Sequence, residues 1–198
     1  RLQADFTASS ADAFTSLSDS NVGLDMHLGD VHLEGKALVR DLRSPNTPQV
    51  EIALQGPSVE YFTELLNLPP FSQGALDLSI SVQPGIEKIV VRLDGLVGDF
   101  SGVISGTVNN FRTLTDVELA VAVSGPDIGR LADLLGAPKF PHVPFSATGK
   151  VKRDQQRLSV SESRINIGRL QIAAGLDIPN LETPIQANLS AQASVPAI

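Results

Sequence analysis

Apolar and polar residues alternate with period two over much of the chain. The clearest stretches are 75–82 and 117–124, and shorter ones at 24–28, 50–54 and 185–189 repeat the pattern. Because successive side chains of a strand point to opposite faces, each of these strands has one apolar and one polar face. The alternation predicts an antiparallel sheet with one dry side, and not a parallel sheet buried on both sides.

Two short segments replace this alternation with a helical spacing. Gly56-Pro57 and Gly125-Pro126 precede them, and a proline suits the first helical position because no amide partner is needed there. Apolar residues then recur at intervals of three and four, which gives each segment one apolar stripe. They are Val59, Phe62 and Leu66 in the first segment and Ile128, Leu131 and Leu135 in the second. Two short helices are therefore predicted, the second ending at a left-handed cap on Gly136.

The helical segments belong to an internal repeat. Gly56-Pro57 recurs as Gly125-Pro126, and a glycine between two strand stretches recurs at almost the same interval, at Gly29, Gly98 and Gly168. A fixed interval between such landmarks is the sequence signature of a repeat architecture. We interpret the chain as one β-rich repeat region. Its approximate copies are 1–55, 56–124 and 125–198.

Glycine, proline or asparagine at the joins between the strand stretches favours a meander. The strands are predicted near 2–9, 21–28, 31–39 and 49–55, near 74–82, 87–96, 100–108 and 115–124, and near 145–153, 157–165, 168–178 and 184–194. The predicted fold class is mostly β, with repeated antiparallel four-strand meanders and short linking helices. Two arrangements stay open: an elongated curved sheet with an apolar groove, or two sheets closed face to face as a sandwich.

Composition narrows the function classes. The 198 residues include 15 Lys and Arg against 22 Asp and Glu, and the net charge of -7 argues against a nucleic-acid partner. Cysteine is absent, which excludes disulfides, thiolate metal sites and a cysteine nucleophile. Aromatic residues make up 5% of the chain, so its apolar surface consists mainly of Val, Leu, Ile and Ala. Such a surface suits aliphatic chains.

No apolar run reaches the roughly 18 residues that span a bilayer. The chain begins at Arg1 and carries no signal peptide, so we interpret it as a fragment of a longer protein whose membrane anchor lies outside it.

The order of motifs in the last third of the chain resembles the AsmA-like proteins of Gram-negative envelopes. A short helix leads to a Phe-containing strand, a short Leu strand, a Gly-centred hairpin and a Pro-started strand. These features occupy 125–149, 158–178 and 184–191. Segment 56–123 resembles a more divergent copy, so the resemblance covers the greater part of the chain.

The resemblance implies a place in the cell and a role. AsmA-like proteins are anchored in the inner membrane by one helix and extend a long β-rich body with an apolar groove into the periplasm. Larger members, related to lipid-bridge proteins, are implicated in moving phospholipid towards the outer membrane. We therefore expect a periplasmic segment of an inner-membrane-anchored parent protein.

The predicted function is non-enzymatic: an apolar β-lined groove holds phospholipid acyl chains for transport or outer-membrane homeostasis. Burial of an acyl chain contributes about 0.8 kcal/mol per CH₂ and needs no hydrogen bond from the protein. The candidate wall consists of Leu76, Leu78, Ile80, Val82, Val117, Leu119, Val121, Val123, Ile165, Ile167, Leu170 and Ile172. The alternative is that these residues form the closed core of a structural or interaction β-sandwich module in an envelope or surface protein.

Motifs of catalysis are missing from the sequence: there is no metalloprotease helix, P-loop, dinucleotide-binding loop or nucleophile elbow. We predict no catalytic residue and no cofactor. His27 and His32 flank the first glycine turn, where Asp25 or Asp30 offers a carboxylate, so a metal site is an alternative. The alternation places both histidines at ordinary polar strand positions, and the equivalent turns have none, so the sequence favours no metal.

Two further polar features have simple interpretations. His142 lies in a proline-rich link and is predicted to be a loop residue. Lys150, Lys152 and Arg153 form a basic cluster, which either meets a lipid headgroup or belongs to a solvated strand face.

Overall fold

The computed structural model describes residues 2–10, 20–39, 48–60, 74–109, 116–134, 139–181 and 187–195. Twelve strands in these ranges form a single antiparallel sheet in which each strand pairs with its neighbours in sequence. The strands are β1 (Leu2–Ser10), β2 (Ser20–Leu28), β3 (Val31–Val39), β4 (Pro48–Gly56), β5 (Leu76–Pro84), β6 (Ile89–Val97), β7 (Phe100–Val108), β8 (Val117–Gly125), β9 (Phe145–Asp154), β10 (Arg157–Ile167), β11 (Leu170–Ile178) and β12 (Asn188–Ser194). One helix, α1 (Ile128–Leu134), interrupts the series within the described ranges.

The predicted fold class, a mostly β meander, is confirmed. The sheet is open and uncurled, so within the described residues it forms neither the expected curved groove nor one half of a sandwich. Most strand boundaries lie close to the predicted ones. In the described residues β12 begins at Asn188, and its predicted start near residue 184 lies outside them.

Tight glycine turns set the register of three hairpins. They join β2 to β3, β6 to β7 and β10 to β11, and their first residues, Gly29, Gly98 and Gly168, have φ values of 60°, 60° and 56°. A glycine at the first of two loop residues matches the type II′ turn, whose twist suits paired strands. The glycine that recurs along the sequence is therefore the residue that opens each of these turns.

The structure corrects the predicted start of α1. Its first helical residue is Ile128 and not Pro126. The Asp127 carboxylate accepts the backbone N–H of Arg130 at 3.1 Å, so a side-chain cap begins the helix. Gly136, predicted as its C-terminal cap, lies outside the described residues.

The first helical segment begins in the same way. Val59 and Glu60 are helical, and the Ser58 hydroxyl accepts the backbone N–H of Glu60 at 3.2 Å. The prediction of a proline in the first helical position is therefore wrong here too, because Pro57 precedes the capping residue. The rest of this predicted helix, including Phe62 and Leu66, lies outside the described residues.

Two helical links, between β4 and β5 and between β8 and β9, are joined to the sheet by equivalent hydrogen bonds. In the first pair, the backbone N–H of Val59 donates to the carbonyl of Gly74 (2.8 Å) and that of Ile128 to the carbonyl of Val143 (3.0 Å). In the second pair, the N–H of Gly98 donates to the carbonyl of Ala75 and that of Gly168 to the carbonyl of Pro144, both at 2.8 Å. Within each pair of equivalent bonds, the two donors are separated along the chain by the interval of the sequence repeat. The two links therefore share a local construction.

Buried side chains lie at the two ends of the strands. Val31, Leu76, Phe100 and Phe145 are at the end that carries the glycine turns and the helical links, and Ile89 and Val108 are at the opposite end. Val59 and Ala132 belong to the helical links themselves. The middle of the apolar face has no layer packed on it within the described part of the chain.

Candidate functional site

All twelve side chains predicted to form an apolar wall lie on one face of the sheet. Residues paired across antiparallel strands share a face, so the ladder can be followed from strand to strand. One row runs through Leu78, Gly95, Gly102, Val123, Ala147, Ile165 and Ile172. The three predicted groups are therefore parts of one continuous surface and not separate patches.

The exposure of these side chains varies along the strands. Ile80 and Val123, in the middle of the face, are 38% and 36% exposed. Leu76 is only 3% exposed because it lies at the covered end of β5. The other nine predicted residues are partly exposed. Leu76 thus belongs to the packed margin, whereas the remaining wall residues are accessible.

The structure adds apolar residues that the sequence prediction did not include. The rows continue across β4, β6 and β7 through Val50, Ile52, Leu54, Val91, Leu93 and Ile104. The alternation in β4 is a sequence signal that could have identified Val50, Ile52 and Leu54. In β6, Val90 is apolar but lies on the other face, which obscures the pattern. In β7, Gly102 and Gly106 interrupt the apolar series.

Within the described strands, Arg153 is the one charged residue whose strand pairing places it on the apolar face. It lies opposite Val117 on β8 and Leu158 on β10. Its Nε atom is buried and has no hydrogen-bond partner among the described residues. A guanidinium group therefore stands at one end of a mainly apolar surface that carries no other charge in the described strands.

The predicted basic cluster is divided between the two faces of the sheet. Lys150 and Lys152 lie on the face opposite to Arg153, because alternate residues of β9 point in opposite directions. The Lys150 Nζ atom is 2.8 Å from Glu162 Oε1, and this hydrogen bond raises the pKa of Lys150. The three cations therefore do not form a single site.

The second face of the sheet is polar and carries several ion pairs. Arg157 binds Asp177 across strands, with 2.8 Å between Nε and Oδ1. Arg92 donates two hydrogen bonds to Asp94, and this hydrogen bonding lowers the pKa of the Asp94 carboxyl. These pairs are exposed, so they make the face soluble and contribute little to stability.

The depressions in the described surface are shallow. One of about 400 Å³ lies between β2, β3 and β4, and its lining includes Lys36 and Glu51. Another of about 290 Å³ lies over β3, β4 and β5, and its lining includes Glu34 and Ser79. Both depressions are lined mainly by residues that point to the polar face, so neither belongs to the apolar wall.

The histidines have defined partners. His27 and His32 meet at Asp25, and this trio is the group of potential metal ligands in the described residues. His142, predicted to be a loop residue, places Nδ1 3.0 Å from both carboxylate oxygens of Asp127 at the start of α1. It therefore contributes to the construction of the helical link.

No family model, curated protein or solved structure matches this chain. Its resemblance to AsmA-like proteins therefore stays a prediction from the order of its motifs. Among the described residues, no helix has the length and apolar character needed to cross a membrane.

Proposed function

We propose that this chain is a non-enzymatic lipid-binding segment that holds acyl chains along its apolar face. The observation that carries the proposal is the continuity of that face across the sheet, without a second layer over its middle among the described residues. Protein domains normally bury an apolar sheet face against another layer. A large uncovered apolar surface therefore indicates a binding surface.

The energetics favour an aliphatic ligand. Complete burial of a Val, Leu or Ile side chain contributes about 1.5–3 kcal/mol. Each buried CH₂ of an acyl chain adds about 0.8 kcal/mol. The wall is aliphatic and offers few polar groups, so it selects for chain length and apolar area and not for a specific hydrogen-bonding pattern.

The dimensions also suit an acyl chain. A strand of nine residues, such as β5, is about 30 Å long. One phospholipid tail extends through about half of a hydrocarbon core, or about 15 Å. A tail can therefore lie along a strand with its headgroup near one end, where the polar group stays in water.

We assign to Arg153 the binding of the lipid headgroup. It stands at the end of β9, on the apolar face. The planar guanidinium forms paired hydrogen bonds with phosphate or carboxylate oxygens, which a neutral residue at this position would not do.

The cellular setting belongs to the proposal and rests on the resemblance to AsmA-like proteins. The segment would lie in the periplasm as part of a parent protein anchored in the inner membrane, and it would hold phospholipid for transport or outer-membrane homeostasis. The mechanism is passive, because transfer along an apolar face needs neither a catalytic residue nor a cofactor.

Substitution of one exposed wall residue tests the proposal. Ile80→Asp places a charge on the middle of the apolar face, and Ser79→Asp places the same charge on the polar face one residue away. Protein purified without detergent is extracted and its lipid measured by mass spectrometry, and delipidated protein is titrated with a fluorescent fatty acid. We expect Ile80→Asp to lose most of the bound lipid and fatty acid, and Ser79→Asp to retain both.

Two results would contradict lipid binding. One is equal retention of lipid by both variants. The other is a wild-type protein that carries no lipid, takes up no fatty acid and forms a stable dimer that Ile80→Asp dissociates. That second result would support the alternative, a structural module whose apolar face packs against another sheet.

A further inference from the structure

The hairpin of β2 and β3 brings three metal-ligating side chains together on the polar face. Its Gly29-Asp30 turn pairs Leu28 with Val31, so the next pair along the ladder is His27 with His32. Asp25 precedes His27 by two residues and therefore lies on the same face. The turn thus determines that both imidazole rings stand beside one carboxylate.

The donor atoms of these side chains converge. Nε2 of His27 and Nε2 of His32 are each 3.2 Å from the same oxygen, Oδ1 of Asp25. The two rings are stacked, with centroids 4.2 Å apart and planes within 3° of parallel. All three ligand atoms lie within 4.8 Å of one another.

These separations are close to those of a transition-metal site. In a tetrahedral zinc site with bonds of about 2.0–2.1 Å, ligand atoms lie about 3.3 Å apart. Both nitrogen-to-oxygen distances are already close to this value. The side chains of His27, Asp25 and His32 are 53%, 52% and 35% exposed, so the rings have room to turn their nitrogens towards a shared ion.

The surrounding charge also favours a cation. Asp5 on β1 and Glu34 on β3 are the register partners of Asp25, so three carboxylates occupy one row of the polar face. Like charges at neighbouring positions destabilise a sheet. Lys36 pairs with Glu34, with 2.6 Å between Nζ and Oε1, and so offsets one of these charges. A divalent ion at Asp25 would reduce the repulsion along this row further.

We propose that Asp25, His27 and His32 bind a divalent first-row transition-metal ion, with Zn²⁺ as the ion to test. Two imidazole nitrogens suit Zn²⁺, Cu²⁺ and Ni²⁺, whereas Mg²⁺ and Ca²⁺ prefer sites made only of oxygen ligands. Three protein ligands leave a fourth position for water or a ligand from a partner. The site is on the face opposite to the lipid-binding surface, so the two proposals stand independently.

The internal repeat shows why the site belongs to the first hairpin alone. The residues that correspond to His27 and His32 are Leu96 and Ser101 in the second glycine-turn hairpin, and Asn166 and Gln171 in the third. All three hairpins have the same turn construction. The hairpin backbone is therefore common to the copies, and the ligand set is an addition to one of them.

Calorimetric titration of the full chain with Zn²⁺ at pH 7.5 tests the site. The protein must carry no histidine tag, and each variant is checked for its native β signal by circular dichroism. We expect one Zn²⁺ per chain. His27→Gln, His32→Gln and Asp25→Asn should each weaken binding by more than about tenfold, because loss of an outer-shell partner alone costs about 10–100-fold. His142→Gln is the matched control, because His142 is the third histidine of the chain, and it should bind as the wild type does.

A second readout locates the ion directly. The imidazole NMR signals of His27 and His32 should shift on addition of one equivalent of Zn²⁺, and those of His142 should not. The proposal is overturned if Zn²⁺ binding does not saturate, or if the folded His27→Gln and His32→Gln variants bind Zn²⁺ as the wild type does. Loss of Zn²⁺ binding in His142→Gln would also overturn it.

Discussion

At the scale of single residues, the glycines of the two Gly-Pro pairs, Gly56 and Gly125, have a packing role. Gly125 lies between Phe100 and Phe145, whose ring centroids are 6.2 Å apart. Gly56 occupies the corresponding place between Val31 and Leu76. The sequence suggested a helix start at both positions, whereas the structure shows that each glycine makes room for a buried apolar pair.

Gly125→Ala should destabilise the fold because the new methyl group would overlap the ring of Phe100. Overpacking of this kind costs about 1–3 kcal/mol. Gly56→Ala is the matched control, since its nearest neighbour is the Cγ2 methyl group of Val31 at 3.2 Å. The free energies of unfolding in urea should fall more for Gly125→Ala, and an equal loss in both would contradict the packing role of the rings.

Asp127 should make the stability of the helical link depend on pH. Burial raises the pKa of its carboxyl, but the backbone N–H of Arg130 and the contact with His142 together outweigh burial and lower it. A lowered pKa in the folded state means that the stabilisation is present above the unfolded value of about 3.9 and is lost as the pH falls through the folded value.

Asp127→Asn keeps the cap but removes the charge, since asparagine also caps helices well. The difference in Tm between wild type and variant should therefore persist down to about pH 5 and should shrink in stronger acid, below about pH 4. Asp133→Asn, an exposed change on the same helix, is the control. A Tm difference for Asp127→Asn that stays constant down to pH 3 would contradict the account.

At the scale of elements, each hairpin is a local unit, because extensive strand contacts occur only between consecutive strands of the described sheet. Stability in such one-dimensional arrangements comes from each unit and its nearest neighbours. Damage to one hairpin should therefore stay close to it.

Gly98→Ala tests this locality. A left-handed φ costs a non-glycine residue about 1–2 kcal/mol, and Gly98 has a φ of 60°. Hydrogen exchange should quicken in β6 and β7 and stay unchanged in β2 and β3. Gly102→Ala is the control in the same hairpin, because its new methyl group would lie 3.6 Å from the nearest atom. A uniform increase in exchange across the sheet would show global cooperativity instead.

At the scale of the whole molecule, the dominant feature is an apolar face without a covering layer in the described residues. Val22, Ile52, Ile80 and Val123 are all at least 36% exposed on that face. Aliphatic side chains at such exposure lower the solubility of the free protein and provide the driving force for binding.

The delipidated native protein should bind a hydrophobic dye such as ANS without losing its circular dichroism signal, since the apolar face is already accessible. Fatty acid should displace the dye, and dye fluorescence should be weaker in Ile52→Asp than in Ala53→Asp, a matched change on the other face. Dye binding that appears only with unfolding would show that the face is covered in solution.

Several features of the structure could not be predicted from the sequence. Glu162 has a φ of 53° at a register shift in β10, and its carboxylate reaches Lys150. No glycine marks this bulge, so the sequence offers no signal for it. The convergence of His27 and His32 on Asp25 also depends on ligand-atom positions that a spacing alone leaves open.

The sequence by itself determined the strands, the glycine turns and the face on which most strand residues lie. These properties are local: alternation assigns a side chain to a face, and a glycine permits a left-handed turn. Arg153 is an exception, because the sequence grouped it with Lys150 and Lys152 and only the strand register placed it on the apolar face.

The tertiary structure alone decided that the strands form one open sheet and not two packed ones. The alternation pattern is the same in both cases, because it records that a face is apolar and not what covers that face. Coverage is a long-range property, set by how distant segments meet. For this chain it separates a closed core from the exposed face to which we assign lipid binding.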